Sequence, residues 1–343
     1  MLLFFLPSLV VGVQAAPAAA KAPAGWDRQK AFDYLESRQR EWADWKPAQK
    51  HGGPCISCHT GLSYLLARRV IGEKQPRPVE SALVEGVRTR VLADPPRTML
   101  NDAGAEAILN LLTLSLQRRS TSENQAPPDP AEQLALQRLW ANQVQEGDAR
   151  GSWSWFMHEL HPVESEHSTF YAATLAELAL SAYPAQQPVR VQAMRDFLDR
   201  QSPGQPLHNR LARIAFTAKK DAAAQADVLR DLWKSQSPDG GWTTAALGPW
   251  ARHGDEAPPD SGSNAYATAW AAYAARQAGV ACGEPALQRA LAWLVQHQDP
   301  ASGAWRAISM NKVYAAGSMQ SGFMTDAATG YAAAALLSCG KGR

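Results

Sequence analysis

Charge of one sign and long hydrophobic runs are both scarce in this sequence. Its 343 residues carry 34 Lys and Arg against 32 Asp and Glu, a formal net charge of +2, with the two signs interspersed. This pattern argues against the basic footprint of a nucleic-acid-binding protein and against a polybasic membrane patch. The apolar run from Leu2 to Val13 is too short for a membrane-spanning helix, which needs about 20 apolar residues. We therefore expect no nucleic-acid partner and no transmembrane segment after signal cleavage.

The N-terminus has the features of an export signal. The segment Met1–Ala15 is apolar, has no acidic residue and ends in the small-residue pattern Val13-Gln14-Ala15, although no Lys or Arg precedes its apolar core. This predicts a signal peptide over residues 1–15 and a periplasmic location in a bacterium. An Ala/Pro-rich linker follows over residues 16–25, so we expect the folded domain to span residues 26–343.

A repeated turn organises the rest of the chain. Each copy has a Gln near the end of an amphipathic helix, then a Gly-x-Trp turn. The copies are Gln145 with Gly151-Ser152-Trp153, Gln236 with Gly240-Gly241-Trp242, and Gln298 with Gly303-Ala304-Trp305. We expect the glycine to make the turn and the Trp to pack back on the elements it joins. A helix rich in small residues follows each turn and suits a buried inner layer.

These turns resemble the QW repeats of squalene-hopene cyclases and the related protein prenyltransferases. The resemblance covers Ala31 to Leu337 and implies an all-α fold, namely an α/α toroid of paired inner and outer helices around a central cavity. It implies less about activity, because a fold hosts many functions. Class II terpenoid cyclases protonate their substrate with an Asp-x-Asp-Asp element, which this sequence lacks.

One motif carries recognisable chemistry. Cys55-Ile56-Ser57-Cys58-His59 has the spacing for covalent c-type haem, with thioethers from Cys55 and Cys58 and with His59 as the proximal iron ligand. A Cys55–Cys58 disulfide or another metal remains open as an alternative, although no second CxxC completes a zinc set. The run CxxCHT followed by a Leu-rich helix resembles a subgroup of bacterial, cytochrome-like toroid proteins, which implies one haem c as cofactor.

The haem motif stands between two predicted toroid helices. An outer-type helix is expected near Ala31 to Trp45, and an inner-type helix over Ala103 to Leu116. We therefore predict a haem-binding insertion at about residues 46–98. Met99 is a weak candidate for the distal iron ligand. Further candidates without a spacing argument are His51, His158, His161, His167, Met319 and Met324.

Other candidate residues follow from the expected toroid. The helix starts after the Gly-x-Trp turns place Tyr171, Tyr266 and Asp326 at corresponding positions at one end of the cavity, as weak candidates for a catalytic role. An ordinary acid in the first turn of a helix is the alternative for Asp326. Cys282 and Cys339 fall just beyond the last two inner-type helices, where a disulfide is possible; two free thiols are the alternative.

The leading hypothesis is a periplasmic monohaem c-type protein that acts in electron transfer or haem-dependent redox chemistry. Its partner would be a redox protein or an apolar small molecule held in the cavity. If the protein is an enzyme, a haem-dependent oxidoreductase is favoured over a terpenoid cyclase. The alternatives are a non-catalytic binding or scaffold toroid with a Cys55–Cys58 disulfide and, third, an isoprenoid cyclase.

Overall fold

The computed structural model describes residues 25–49, 53–71, 76–93, 103–120, 126–183, 187–217, 221–250 and 262–340. The predicted signal peptide, all of the linker except Gly25, and the candidates His51 and Met99 lie outside these ranges. Within them the chain is helical and has no β-strand, apart from the isolated bridges Gln143–Trp153 and Leu160–Glu164. No helix among these residues is long and apolar enough to cross a membrane.

Helices of two kinds alternate along the described chain. The outer helices are α1 (Arg28–Asp44), α3 (Pro78–Ala93), α5 (Pro130–Ala141), α7 (Pro188–Gln201), α9 (Ala222–Lys234) and α12 (Pro285–Gln296). The inner helices are α2 (Gly61–Ile71), α4 (Ala103–Ser120), α6 (Ser168–Leu180), α8 (Leu207–Phe216), α11 (Ala265–Gln277) and α13 (Phe323–Ser338). A single-turn helix, α10 (Thr244–Leu247), precedes α11.

The inner helices form a closed ring. Each packs against the next in the order α2, α4, α6, α8, α11 and α13, and α13 packs back against α2. Each outer helix covers the ring from outside; α1, for example, buries only the face that carries Ala31, Phe32 and Leu35. The predicted all-α, α/α toroid is therefore confirmed. Because every inner helix follows an outer one, all six inner helices begin at the same end of the ring.

Local sequence explains where the outer helices begin. The helices α3, α5, α7 and α12 each start at a proline. Proline is favoured at the first helical position, where its missing N–H costs no hydrogen bond. At the start of α5 the Asp129 carboxylate accepts a hydrogen bond from the Glu132 N–H, and the Glu132 carboxylate accepts one from the Asp129 N–H. The two bonds together form a capping box.

The three Gly-x-Trp turns join the outer helices α5, α9 and α12 to the next outer helix around the ring. In all three copies the Trp indole N–H donates to a carbonyl at the end of the preceding outer helix: Trp153 to Leu139 at 2.8 Å, Trp242 to Leu232 at 3.0 Å and Trp305 to Leu294 at 2.7 Å. The Gln amide then donates to the start of the following outer helix: Gln143 to the Arg190 carbonyl, Gln236 to Ala286 and Gln298 to Asp27.

The copy that contains Trp153 corrects the sequence prediction by two residues. Gln143, not Gln145, makes the bond to the next outer helix, and Gln145 donates to the Gln143 carbonyl instead. The loop between the helix end at Trp140 and the turn at Trp153 is longer than in the other copies. The Gln nearest to the Gly-x-Trp turn is therefore not the one that makes the bond.

The segment that carries the CxxCH motif is part of the ring. Residues 61–71 form the inner helix α2 between α13 and α4, and residues 78–93 form the outer helix α3. The described residues of the predicted haem-binding insertion at about 46–98 thus include α2 of the first helix pair and α3 of the second, and haem binding by this segment stays a prediction. Gln298 closes the ring by exchanging hydrogen bonds with the backbone of Asp27 at 2.7 and 2.9 Å.

A disulfide joins Cys282 and Cys339, whose Cα atoms are 5.5 Å apart. Cys282 lies in the loop between α11 and α12, and Cys339 caps the C-terminus of α13. The bond therefore lies at the end of the ring where the inner helices finish.

Candidate active site

The CxxCH segment lies at the end of the ring where the inner helices begin. The indole N–H of Trp42 donates to the Cys55 carbonyl at 2.6 Å, and the Cys55 N–H donates to the Ala48 carbonyl at 3.0 Å. The Ser57 hydroxyl oxygen accepts from the N–H groups of His59 and Thr60, at 3.2 and 3.0 Å. This hydroxyl cap fixes the backbone just before α2 and directs Cys58 and His59 toward the neighbouring loops.

Cys58 and His59 meet the carboxylate of Glu164. The Cys58 thiol donates to Glu164 Oε1 at 3.8 Å, and His59 Nε2 lies 3.9 Å from the same oxygen. The side chains of His59 and Glu164 are 17% and 16% exposed, so solvent reaches the group. We call Cys58, His59 and Glu164 the thiol–imidazole–carboxylate cluster. Glu164 is 106 residues from Cys58 along the chain, and sequence spacing gave no reason to connect them.

The surrounding structure holds both partners of this ion pair. The His59 ring stacks on Phe323, with 5.3 Å between the centroids and 3° between the planes. Glu164 is in the loop before α6, where its backbone exchanges hydrogen bonds with Leu160 at 2.8 and 2.9 Å. The side chain of Asn311 pins this loop through the backbone of His161, at 2.7 and 2.9 Å.

The charges of the cluster support each other. Burial disfavours an imidazolium, but the interactions with Cys58 and then with Glu164 outweigh it, and the pKa of His59 is raised well above its usual value. Burial also disfavours the Glu164 carboxylate, yet its hydrogen bond and ion pair with His59 lower the pKa of Glu164. The two shifts act in the same sense and favour the ion-paired form of the cluster, with the proton on His59 and none on Glu164.

The Asp326 carboxylate links three segments of the structure through hydrogen bonds. Its side chain is fully buried and accepts from Thr60 Oγ1 at 2.7 Å, Tyr34 Oη at 2.8 Å and Arg38 Nε at 2.8 Å. Burial and the charge of Asp326 raise the pKa of Tyr34. The carboxylate thus joins α1, the start of α2 and α13, and three donors occupy it.

Tyr171 and Tyr266, the other two weak candidates, flank a histidine that the sequence did not single out. His208 lies 5.8 Å from the Tyr171 ring and 6.1 Å from the Tyr266 ring, between centroids. Its Nε2 is 2.9 Å from Tyr266 Oη, and its Nδ1 is 3.0 Å from Asn209 Oδ1. Burial lowers the pKa of His208 to about 4, so this histidine is neutral at pH 7. Because the Asn209 oxygen accepts from Nδ1–H, Nε2 accepts from the Tyr266 hydroxyl.

The groups that would hold a haem have other neighbours in this structure. The atom that would bind iron, His59 Nε2, faces Glu164 at 3.9 Å, and Phe323 covers one face of the ring. Cys55 packs against the small cluster of Trp42, Ala48 and Met319, whereas Cys58 packs against the main core. Both cysteines are free thiols, so the Cys55–Cys58 disulfide that the sequence left open as an alternative is not formed in this structure.

Two solved structures with glycosidase names share the fold. One is named a glycosidase, in the form of a point variant: it has a TM-score of 0.52 and 11% identity, and the match covers 91% of this chain and 98% of that one. The other is "Glycosyl hydrolase family 88 from Bacteroides vulgatus", with a TM-score of 0.52 and 10% identity, covering 90% and 99%. At such identities the likeness shows the fold. No protein-family model matches the chain, and no curated protein matches it in sequence.

The comparison corrects the sequence-based identification. The matching toroids bear glycosidase names, which contradicts the resemblance to squalene-hopene cyclases, prenyltransferases and cytochrome-like toroids. The predicted role in electron transfer or haem-dependent redox chemistry is contradicted on the same ground, and the scaffold and isoprenoid-cyclase alternatives are not supported. Haem c as the cofactor of Cys55, Cys58 and His59 is not tested by these findings and stays a prediction, as does the periplasmic location.

Proposed function

We propose that this protein is an enzyme that hydrolyses glycosidic bonds at the end of the ring where the inner helices begin. The observation that carries the proposal is the partly exposed contact between His59 Nε2 and Glu164 Oε1, 3.9 Å apart. This contact helps to raise the pKa of His59 and to lower that of Glu164, which favours a proton on His59 and none on Glu164. Such a pair supplies an acid and a base at neutral pH. The glycosidase names of two proteins with the same fold give the class of bond.

Each group of the pair has one task. His59 donates its proton to the glycosidic oxygen as the bond from that oxygen to the anomeric carbon breaks. Glu164 accepts a proton from the water whose oxygen bonds to the same carbon. One water is consumed, and the proton gained by Glu164 returns to His59 to restore the starting state. Each proton transfer of this kind contributes about 10²–10⁴-fold in rate.

The pair must separate when substrate binds. In glycosidases that use two carboxyl groups, these lie about 5–5.5 Å apart in retaining enzymes and about 6.5–9.5 Å apart in inverting ones. The 3.9 Å between His59 Nε2 and Glu164 Oε1 is shorter, so a sugar would enter between the two side chains. We therefore assign the observed contact to the resting enzyme.

Aromatic side chains beside the pair suit a carbohydrate substrate. Phe323 stacks on His59, and Trp45 lies 6.2 Å from Phe323 between ring centroids; both residues are partly exposed. A sugar ring has apolar C–H faces that pack well on such rings, and its hydroxyl groups remain available for hydrogen bonds.

The proposal is tested by release of reducing sugar from a panel of glycosides and polysaccharides. We expect Glu164→Gln to lower kcat by about 10²–10⁴-fold, because the amide cannot accept the proton. The matched control is Glu166→Gln in the same loop, where the expected change is below about twofold. Absence of turnover by the wild type on the whole panel, or equal loss in both variants, would contradict the proposal.

A further inference from the structure

We propose that Cys58, His59 and Glu164 also bind one soft divalent metal ion, such as Zn²⁺, and that the bound ion switches the hydrolytic centre off. Metal binding is argued from the geometry of the cluster alone. Only the inhibition rests on the proposed function.

The three ligand atoms already stand close to metal-binding positions. The Cys58 sulfur, the His59 nitrogen and a Glu164 oxygen lie within 4.8 Å of one another, with 3.8 and 3.9 Å for the two contacts to Glu164 Oε1. Zinc–ligand bonds of about 2.0–2.3 Å in a tetrahedron place neighbouring ligand atoms about 3.3–3.6 Å apart. The two contacts to Glu164 would need to shorten by a few tenths of an ångström, and the Cys58–His59 pair, which lies within 4.8 Å, by up to about 1 Å.

The ligand types favour a particular class of ion. A thiolate, an imidazole and a carboxylate together suit zinc and similar transition metals and not magnesium or calcium, which prefer oxygen ligands alone. Three protein ligands leave a fourth tetrahedral position for water. The partial exposure of His59 and Glu164 gives the ion and this water a route in.

The ligands are held in place before any ion arrives. The Ser57 hydroxyl cap fixes the backbone of His59, and Phe323 stacks on the His59 ring. The Glu164 loop is pinned by its own backbone pair with Leu160 and by Asn311. Ordered supporting contacts of this kind raise metal affinity because less freedom is lost on binding.

Inhibition follows from the use of the same atoms. A metal bound to His59 Nε2 takes the lone pair that would carry the proton donated to the glycosidic oxygen. The carboxylate oxygen that faces His59 is taken as well, so neither acid nor base is free. Removal of the ion by a chelator restores both groups.

The experiment is a Zn²⁺ titration of the purified full-length chain by calorimetry, after treatment with EDTA. We expect one ion per chain, release of protons from both the Cys58 thiol and the His59 imidazolium, and at least tenfold weaker binding in Cys58→Ser. Cys55→Ser is the matched control, because Cys55 lies in the same motif but outside the cluster; its affinity is expected to match the wild type. Circular dichroism checks that each variant is folded, and Co²⁺ gives an independent optical reading of the metal–thiolate bond.

The outcomes separate the two proposals. Absence of stoichiometric binding, or equal affinity in folded Cys58→Ser, overturns the metal site and leaves glycoside hydrolysis standing. Intact mass is also measured after expression with haem-attachment machinery, and an added haem would overturn the site because a thioether consumes the Cys58 thiol. Zinc that binds but leaves hydrolysis unchanged or faster overturns the inhibition. Binding without any glycoside turnover supports the site and contradicts the proposed function.

Discussion

At the scale of single residues, Cys58 helps to set the pH above which His59 loses its proton. Burial lowers the pKa of His59, and the interactions with Cys58 are the largest influences that raise it. His59 acts as an acid in the proposed reaction, so activity should fall as pH rises through its raised pKa. Cys58→Ser removes that influence and should move the alkaline limb of the kcat/KM profile to lower pH.

The control for this prediction is Cys55→Ser, which leaves the neighbours of His59 in place. Its alkaline limb should coincide with that of the wild type when both are measured without metal. If Cys58→Ser retains activity and its limb does not move, His59 is not the acid.

His208 makes the stability of the fold depend on pH on the acidic side, whereas His59 affects activity on the alkaline side. Its pKa is about 4 in the folded protein and about 6.5 when unfolded. Between these values the unfolded chain binds a proton that the folded protein does not, so stability falls as pH falls below about 6.5. The loss from this residue is about 2 kcal/mol between pH 7 and pH 5. Urea unfolding at both pH values should show that His208→Gln loses less stability than the wild type; equal losses would contradict this assignment.

At the scale of helices and turns, the repeated Gly-x-Trp turn could be read from the sequence because its parts are local. The glycine, the indole and the helix end lie within about a dozen residues, and the structure shows the same indole bond in all three copies. The Gln bond reaches across to the next outer helix, and there the choice of Gln145 over Gln143 was wrong. Long-range partners leave no fixed spacing along the chain.

The glycine of such a turn is required for two reasons: its φ is positive, and a neighbouring helix leaves no room for a Cβ atom. Gly303 has a φ of +76°, and a Cβ there would lie 2.5 Å from the Lys30 carbonyl carbon in α1. Gly279 has a φ of +95°, but a Cβ would meet nothing within 4 Å. Gly279→Ala should thus cost only the backbone strain of about 1–2 kcal/mol.

Gly303→Ala should cost this strain and a further 1–3 kcal/mol or so, because α1 must move to admit the methyl group. Chemical denaturation of the two variants measures the difference. Equal losses would show that the turn does not press on α1.

The first helix pair was misjudged for a related reason. The helix α2 begins at Gly61 and carries Tyr64, Leu65 and Leu66 where the later inner helices are rich in alanine, and no Gly-x-Trp turn precedes it. It is inner because α13 and α4 enclose it, which no local pattern reports. Glu164 and His208 were missed in the same way. Their importance comes from residues distant in the sequence that the fold brings beside them.

At the scale of the whole molecule, the candidate active site and the disulfide lie at opposite ends of the closed ring. The thiol–imidazole–carboxylate cluster lies where the inner helices begin, and the Cys282–Cys339 bond lies where α11 and α13 end. Ring closure through Gln298 and Asp27 ties the last outer helix to the first. A change at the far end should therefore alter stability without changing the pH dependence of the site.

The disulfide tests this separation directly. It closes a loop of 57 residues, and the chain-entropy estimate for such a loop is about 4 kcal/mol of stability. The double variant Cys282→Ser, Cys339→Ser should unfold at lower urea concentration, and a reducing agent should destabilise the wild type but not the variant. Its kcat/KM profile against pH, measured where it is fully folded, should retain the wild-type limbs. A shifted limb would mean that strain at the far end reaches His59 and Glu164 through the inner helices, against the separation argued from their positions.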